Sequence, residues 1–114
     1  MKLDVRVEKE WNQVWDSAET WLNDKIDVLM NNAGVFSRTN WVIMNDINMT
    51  GLILGTVIGI ERMGLTQGHG GRGGTILQTA SLAGLLTGAW ENHIEHVYTA
   101  TKHAVVGYTR YSTV

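Results

Sequence analysis

Ile26-Asp27-Val28-Leu29-Met30 is a compact, mostly apolar run that stops at Asn31-Asn32-Ala33-Gly34, the pattern of a buried strand ending in a turn. On its N-terminal side Trp11, Val14, Trp15, Ala18, Trp21 and Leu22 recur at intervals of three and four, with Glu10, Asn12, Gln13, Asp16, Ser17 and Glu19 between them. That spacing predicts an amphipathic helix with a tryptophan-rich inner face. Before it, Leu3, Val5 and Val7 alternate with Asp4, Arg6 and Glu8, which predicts a short strand. On the C-terminal side a longer helix is expected from about Trp41 to Met63. The glycine-rich stretch 64–74 is a loop, because ordering glycine is costly. Thr75 to Thr79 reads as a strand, and Tyr98 to Tyr111 as a last helix with Ala100, Ala104, Val105 and Tyr108 inside. The order β-α-β-α-β-loop-α points to a parallel α/β sheet rather than a bundle or a sandwich.

The whole chain has 114 residues, 44% of them hydrophobic and 18% charged, with a formal net charge of −2. This is the composition of a soluble globular domain and excludes a disordered tail or a collagen-like repeat. Without cysteine there is no disulfide, thiolate metal site or cysteine nucleophile. Nine scattered Lys and Arg residues do not make the basic cluster that nucleic acid requires. The N-terminus has no signal-peptide core, and a cytoplasmic location is expected. The apolar stretch Ile47 to Ile60 is broken by Asn48 and Thr50 and is shorter than the ~20 residues of a membrane span. Gly51, Gly55 and Gly59 repeat every fourth residue, so one helix face is prepared for a close contact. Proline is absent, where a usage of ~5% would supply about half a dozen.

Few residue patterns suggest chemistry. The glycine-rich loop follows a helix and precedes a strand, whereas a phosphate cradle lies between a strand and a helix; it reads as a flexible connection. His93 and His96, with Glu91 and Glu95, have helical spacing but no evident third ligand, and read as exposed loop residues rather than a metal site. Tyr98 and Lys102 are four apart, which puts both side chains on one helix face. An ammonium there would favour the phenolate of a tyrosine, which otherwise titrates near pH ~10.

Taken in order, Asn31-Asn32-Ala33-Gly34 after a strand, Asn48 inside the next helix, Ser81 after the third strand, and Tyr98-Thr99-Ala100-Thr101-Lys102 resemble the short-chain dehydrogenase/reductase family over almost the whole chain. The resemblance implies a Rossmann-like, doubly wound parallel sheet, here incomplete. It implies an NAD cofactor, with NADP as the alternative, and a small alcohol or ketone substrate, a secondary alcohol or hydroxy-lipid. Asn48, Ser81, Tyr98 and Lys102 would form the catalytic tetrad, with Tyr98 as general base. Asp4 and Val5 would close over the adenine, and Asn32, Ala33 and Gly34 would lie along the cofactor with Tyr98 and Lys102. No metal is implied. The helix carrying Gly51, Gly55 and Gly59 and the helix carrying Tyr98 would pack against a second copy. Ser81 and Tyr98 are 17 positions apart, a longer spacing than the family has, so an insertion is expected within Thr87 to Val97. The family's N-terminal glycine turn and its C-terminal substrate segment are not in the sequence, so residues 1–114 are expected to be a partial domain holding the equivalents of strands 3 to 5. In the sheet order 3-2-1-4-5-6 the first of these would lack its neighbour, and the isolated chain is expected to be partly folded and inactive. An inactive form serving as a dimerisation or interaction module is the alternative.

Overall fold

A computed structural model describes residues 1–86 and 93–111. The elements are α1 (Glu8–Leu22), β1 (Val28–Asn31), α2 (Trp41–Asn45), a π-helical turn (Asp46–Gly51), α3 (Leu52–Met63), β2 (Thr75–Gln78), a 3-10 turn (Leu82–Gly84) and α4 (His93–Tyr111). β1 and β2 pair in parallel, with Val28 opposite Thr75 and Asn31 opposite Gln78. This is the expected α/β arrangement, reduced to two strands joined through a helix.

The expected first strand is not formed. Leu3 to Val7 is spent on a turn: the Val7 amide donates to the Asp4 carbonyl at 3.0 Å, and the Asp4 amide donates to Glu10 Oε2 at 2.7 Å. Trp11 Nε1 donates to the Val5 carbonyl at 2.9 Å. With these backbone groups committed locally, the alternation of Leu3, Val5 and Val7 serves packing instead. Val5 lies on the helix at Gly51, where a Cβ would come within 2.6 Å of its Cγ2.

α1 buries Trp11 and Trp15, which with Ile58 and Met63 form the core between α1, α3 and the sheet. Trp21 and Leu22, expected inside, are exposed; at ~3.6 residues per turn Trp21 falls well off the line joining Trp11 and Trp15. The helix ends at Asn23, whose left-handed conformation (φ 53°) lets its amide cap Glu19 and Thr20 carbonyls.

Helical structure runs unbroken over Trp41–Met63, and these 23 residues are long and apolar enough to cross a membrane by length and composition alone. Their placement is that of a core helix, because Asn48 and Thr56 are buried in hydrogen bonds to other elements. The glycine stripe packs within the chain. A Cβ at Gly55 would come 2.6 Å from Trp11 and 2.5 Å from Asn31 Oδ1, and one at Gly59 2.7 Å from Leu29. A second copy could therefore meet α3 only on its outer side, not on the glycines. α4 packs against α2, the π turn and the 3-10 turn, where Met44, Ala83 and Val105 are buried.

The glycine-rich loop is a connection, as expected, but a tethered one. Arg72 makes two parallel bonds to Asp27, Nε to Oδ1 at 2.7 Å and Nη2 to Oδ2 at 2.8 Å, and two to Asp24, Nη1 to Oδ1 at 3.1 Å and Nη2 to Oδ2 at 3.4 Å. The Arg72 bonds hold the Asp27 carboxyl below its ordinary range, and the Asp24 carboxyl is held down first by the Lys25 amide and then by Arg72. The clamp sets the loop beside the start of β1, where the Thr75 amide donates to the Asp27 carbonyl at 2.8 Å.

Candidate active site

The carboxyl ends of β1 and β2 carry the site. β1 runs into Asn32-Ala33-Gly34, all exposed, and β2 into Thr79, whose amide continues the ladder to the Asn31 carbonyl at 3.1 Å. Asn48 sits in the π turn and is fully buried. Its Nδ2 donates to the Val35 carbonyl at 2.8 Å and its Oδ1 accepts from the Val35 amide at 2.7 Å. One side chain thereby pins both backbone groups of the residue after Gly34. A π turn inside an α-helix shifts the helix phase locally and is frequent at functional sites; here it turns Asn48 toward the strand end.

Lys102 on α4 is 4% exposed and donates from Nζ to the Thr79 carbonyl at 2.9 Å. Burial alone pushes its pKa below the ordinary lysine value. A Cβ placed on Gly34 would be 3.5 Å from both Lys102 Nζ and Asn48 Oδ1, so the turn, the π turn and α4 meet at one point. Lys102 Nζ is 5.8 Å from the centre of the Tyr98 ring, the same-face relation expected from their spacing. Phe36 meets that ring edge-on, with centroids 5.3 Å apart. Ser81 stands at the head of the 3-10 turn, and its Oγ accepts from the Ala83 amide at 3.2 Å. That turn lies against α4: a Cβ on Gly84 would be 2.6 Å from the Lys102 carbonyl.

Asn48, Gly34, Tyr98 and Lys102 are thus drawn together, with Ser81 on the adjoining turn. The two residues of the expected adenine pair have different surroundings. Val5 does share a cavity of about 130 Å³ with Asn32, Ala33, Trp11, Ile47 and Leu52. The Asp4 carboxylate, however, is taken by Arg6, through the guanidinium at 2.9 and 2.7 Å and the amide at 3.0 Å, which hold its pKa down to about 2.

The segment 93–96 needs correction. It lies in α4 rather than a loop, and Glu95 is 7% exposed, with Arg38 Nε 3.2 Å from its carboxylate. Glu91 and most of the expected insertion fall outside the described residues. Sequence reasoning missed three residues that hold the site. Val35 and Thr79 act through their backbone, which no side-chain motif reveals. Thr101, buried at 4% exposure, donates to the Tyr98 carbonyl at 2.8 Å and lies 3.4 Å from Asn48 Nδ2; its place between Tyr98 and Lys102 was the available signal.

The residues present fit a nicotinamide dinucleotide. The Asn32-Ala33-Gly34 turn is open, and Lys102 has three donors, one of them directed to Thr79. Parallel strands joined through a helix, with polar groups gathered at their carboxyl ends, place the chain in the α/β class, in which ligands sit at that edge. Residues 1–113 match the family model for short chain dehydrogenase. A stretch of 86 residues is 42% identical to 15-hydroxyprostaglandin dehydrogenase [NAD(+)] of Homo sapiens, covering 75% of this chain and 30% of that enzyme. The fold superposes on a short-chain type dehydrogenase/reductase from Mycobacterium marinum with a TM-score of 0.79 and 26% identity, over 97% of this chain and 44% of that one. It superposes on ElxO with NADP bound with a TM-score of 0.72 and 26% identity, over 95% and 43%. The chain belongs to the short-chain dehydrogenase family, with an incomplete Rossmann-like fold, and spans less than half the length of these relatives.

Proposed function

We propose that this chain forms the reaction centre of an NAD(P)-dependent oxidoreductase acting on a secondary alcohol. The observation that supports it is the convergence of Gly34, Asn48, Tyr98 and a buried Lys102 at the carboxyl ends of two parallel strands. Tyr98 takes the hydroxyl proton of the alcohol as general base. Ser81 turns its hydroxyl from the Ala83 amide to the reacting oxygen and stabilises the charge that develops there. Lys102 supplies positive charge beside the Tyr98 ring and holds the nicotinamide ribose with the donors that Thr79 does not use. Asn48 fixes Val35, and so the turn along which the cofactor lies; proton exchange with solvent runs past Lys102 through a water that Asn48 holds. The bound nicotinamide supplies the acceptor for the carbinol hydrogen, which leaves carbon with its electron pair as the proton leaves oxygen.

NAD is the proposed cofactor, from the likeness to the human NAD(+) enzyme; separate titrations with NAD and NADP decide between them. Asn32, Ala33 and Val5 would line its path. Association of two copies through α4 and the outer side of α3, where Val57 and Ile60 are exposed, and a cytoplasmic location belong to the same proposal. In a full-length enzyme carrying this segment, Tyr98→Phe is expected to lower NADH formation by at least about 100-fold with cofactor affinity unchanged. Turnover close to that of the unsubstituted protein would sink the assignment.

A further inference from the structure

One residue behind the reacting groups lies a buried polar cluster that the proposed chemistry does not use. Asn31 ends β1, Gln78 ends β2, and the two are register partners. Asn31 is 6% exposed and Thr56, on α3, 1%. Asn31 Nδ2 donates to Thr56 Oγ1 at 3.0 Å and lies 3.3 Å from Gln78 Oε1. Gln78 Nε2 donates to the same Thr56 oxygen at 2.8 Å, and Thr56 donates its own proton to the Leu52 carbonyl at 2.8 Å. A hydroxyl has one proton and two acceptor lone pairs, so Thr56 is saturated, and both of its acceptor sites are spent on the ends of the two strands.

What those strand ends carry gives the cluster its consequence. Asn31 is bonded in sequence to Asn32, and Gln78 to Thr79. The Thr79 hydroxyl donates to Asn32 Oδ1 at 3.0 Å, and the Thr79 carbonyl receives Lys102 Nζ at 2.9 Å. Leu52, whose carbonyl anchors Thr56, directly follows the π turn that holds Asn48. The apolar contacts beneath the sheet, Leu29 and Ile76 over Gly59, are not directional and leave the height of the strand ends unspecified. The hydrogen bonds of the buried cluster are directional and fix a geometry instead. We propose that Thr56, acting through Asn31 and Gln78, is a positioning residue that sets the Thr79 carbonyl beneath Lys102 and the Asn32-Ala33-Gly34 turn beside it.

The proposal rests on Lys102 being a site residue, but its readout is Lys102 itself and needs no turnover. The Lys102 ammonium is titrated by lysine-selective NMR in the full chain. Tyr98 is the titratable group beside it, so the series is repeated with Tyr98→Phe. Thr56→Val removes the acceptor that Asn31 and Gln78 share and should let Thr79 shift, giving Lys102 more water and raising its pKa toward the ordinary value of 10.5. Thr56→Ser, which keeps the hydroxyl, should hold the pKa where it is. Gln78→Ala leaves the Asn31–Thr56 bond intact and should give a smaller rise, which covers the case in which Thr56→Val does not fold. Trp15→Phe, in the core under α1, should lower the melting temperature without moving Lys102. An unmoved Lys102 in Gln78→Ala and in any folded Thr56→Val, or an equal rise in Trp15→Phe, overturns the proposal. Normal turnover in Tyr98→Phe would overturn the catalytic assignment and leave this one standing.

Discussion

Asp4 and Lys102 are perturbed in opposite settings, and their physical causes differ. Asp4 is half-buried at the surface, and its carboxyl is held down to about 2 by hydrogen bonds from the Arg6 side chain first and the Arg6 amide second. Lys102 is buried, and its shift comes from desolvation. For Asp4 the unfolded chain binds more protons than the folded one between about 2 and 3.8, so stability rises with pH across that window. The contribution is complete above 3.8 and lost as pH falls through about 2. Being solvent-screened, it is small. An NMR titration of the Asp4 carboxyl should show its midpoint near 2, and Arg6→Ala, which removes the guanidinium but keeps the amide bond, should raise it part of the way to the ordinary carboxylate range; a midpoint that ignores Arg6 would contradict the turn. This turn also explains why the alternation in Leu3 to Val7 misleads. Side-chain periodicity is identical for a strand and for a segment whose alternate residues pack on a helix. Only the fate of the backbone groups separates the two.

Two glycines in helices of the same chain should respond oppositely to the same change. Alanine gains about 1 kcal/mol over glycine in helix propensity. At Gly107 in α4 an added Cβ meets nothing within 4 Å, so Gly107→Ala should stabilise the protein by roughly that amount. At Gly55 the Cβ would lie 2.5 Å from Asn31 Oδ1 and 2.6 Å from the Trp11 ring. Overpacking of that kind costs about 1–3 kcal/mol, which outweighs the propensity gain, so Gly55→Ala should destabilise. Urea midpoints of the two variants check this, and a stabilising Gly55→Ala would mean that Trp11 does not sit where described. The four-residue spacing of Gly51, Gly55 and Gly59 announced a close approach correctly. What it approaches was not legible, because the contacts come from Val5, Trp11 and Leu29, which are distant in sequence.

Among the described residues the sheet has two strands, and one of its faces is open. Val28 is 56% exposed, Met30 60% and Leu77 44%, while Leu29 and Ile76 face α3. Among the described residues each strand has one unpaired edge. Open edges beside exposed apolar side chains favour association. Leu77→Lys, which puts a charge on the open face without touching the Trp11 core, should reduce concentration-dependent light scattering and leave the unfolding midpoint within about 0.5 kcal/mol. A large loss of stability would show that this face is covered in solution.

The helices, the two strands and the motif residues were legible because each depends on short-range periodicity or on a few residues at fixed spacing: Val28 to Asn31, Thr75 to Gln78, Trp11 with Trp15, Tyr98 with Lys102. That information is local, and the sequence by itself determined the α/β class and the family. The tertiary structure decided the rest. It decided that Leu3 to Val7 turns, that Glu95 is buried against Arg38, that Asn48 grips Val35, and that Lys102 is anchored on the Thr79 carbonyl. Those outcomes depend on which backbone groups and which distant side chains arrive at the same point, and spacing along the chain does not encode a distance in space.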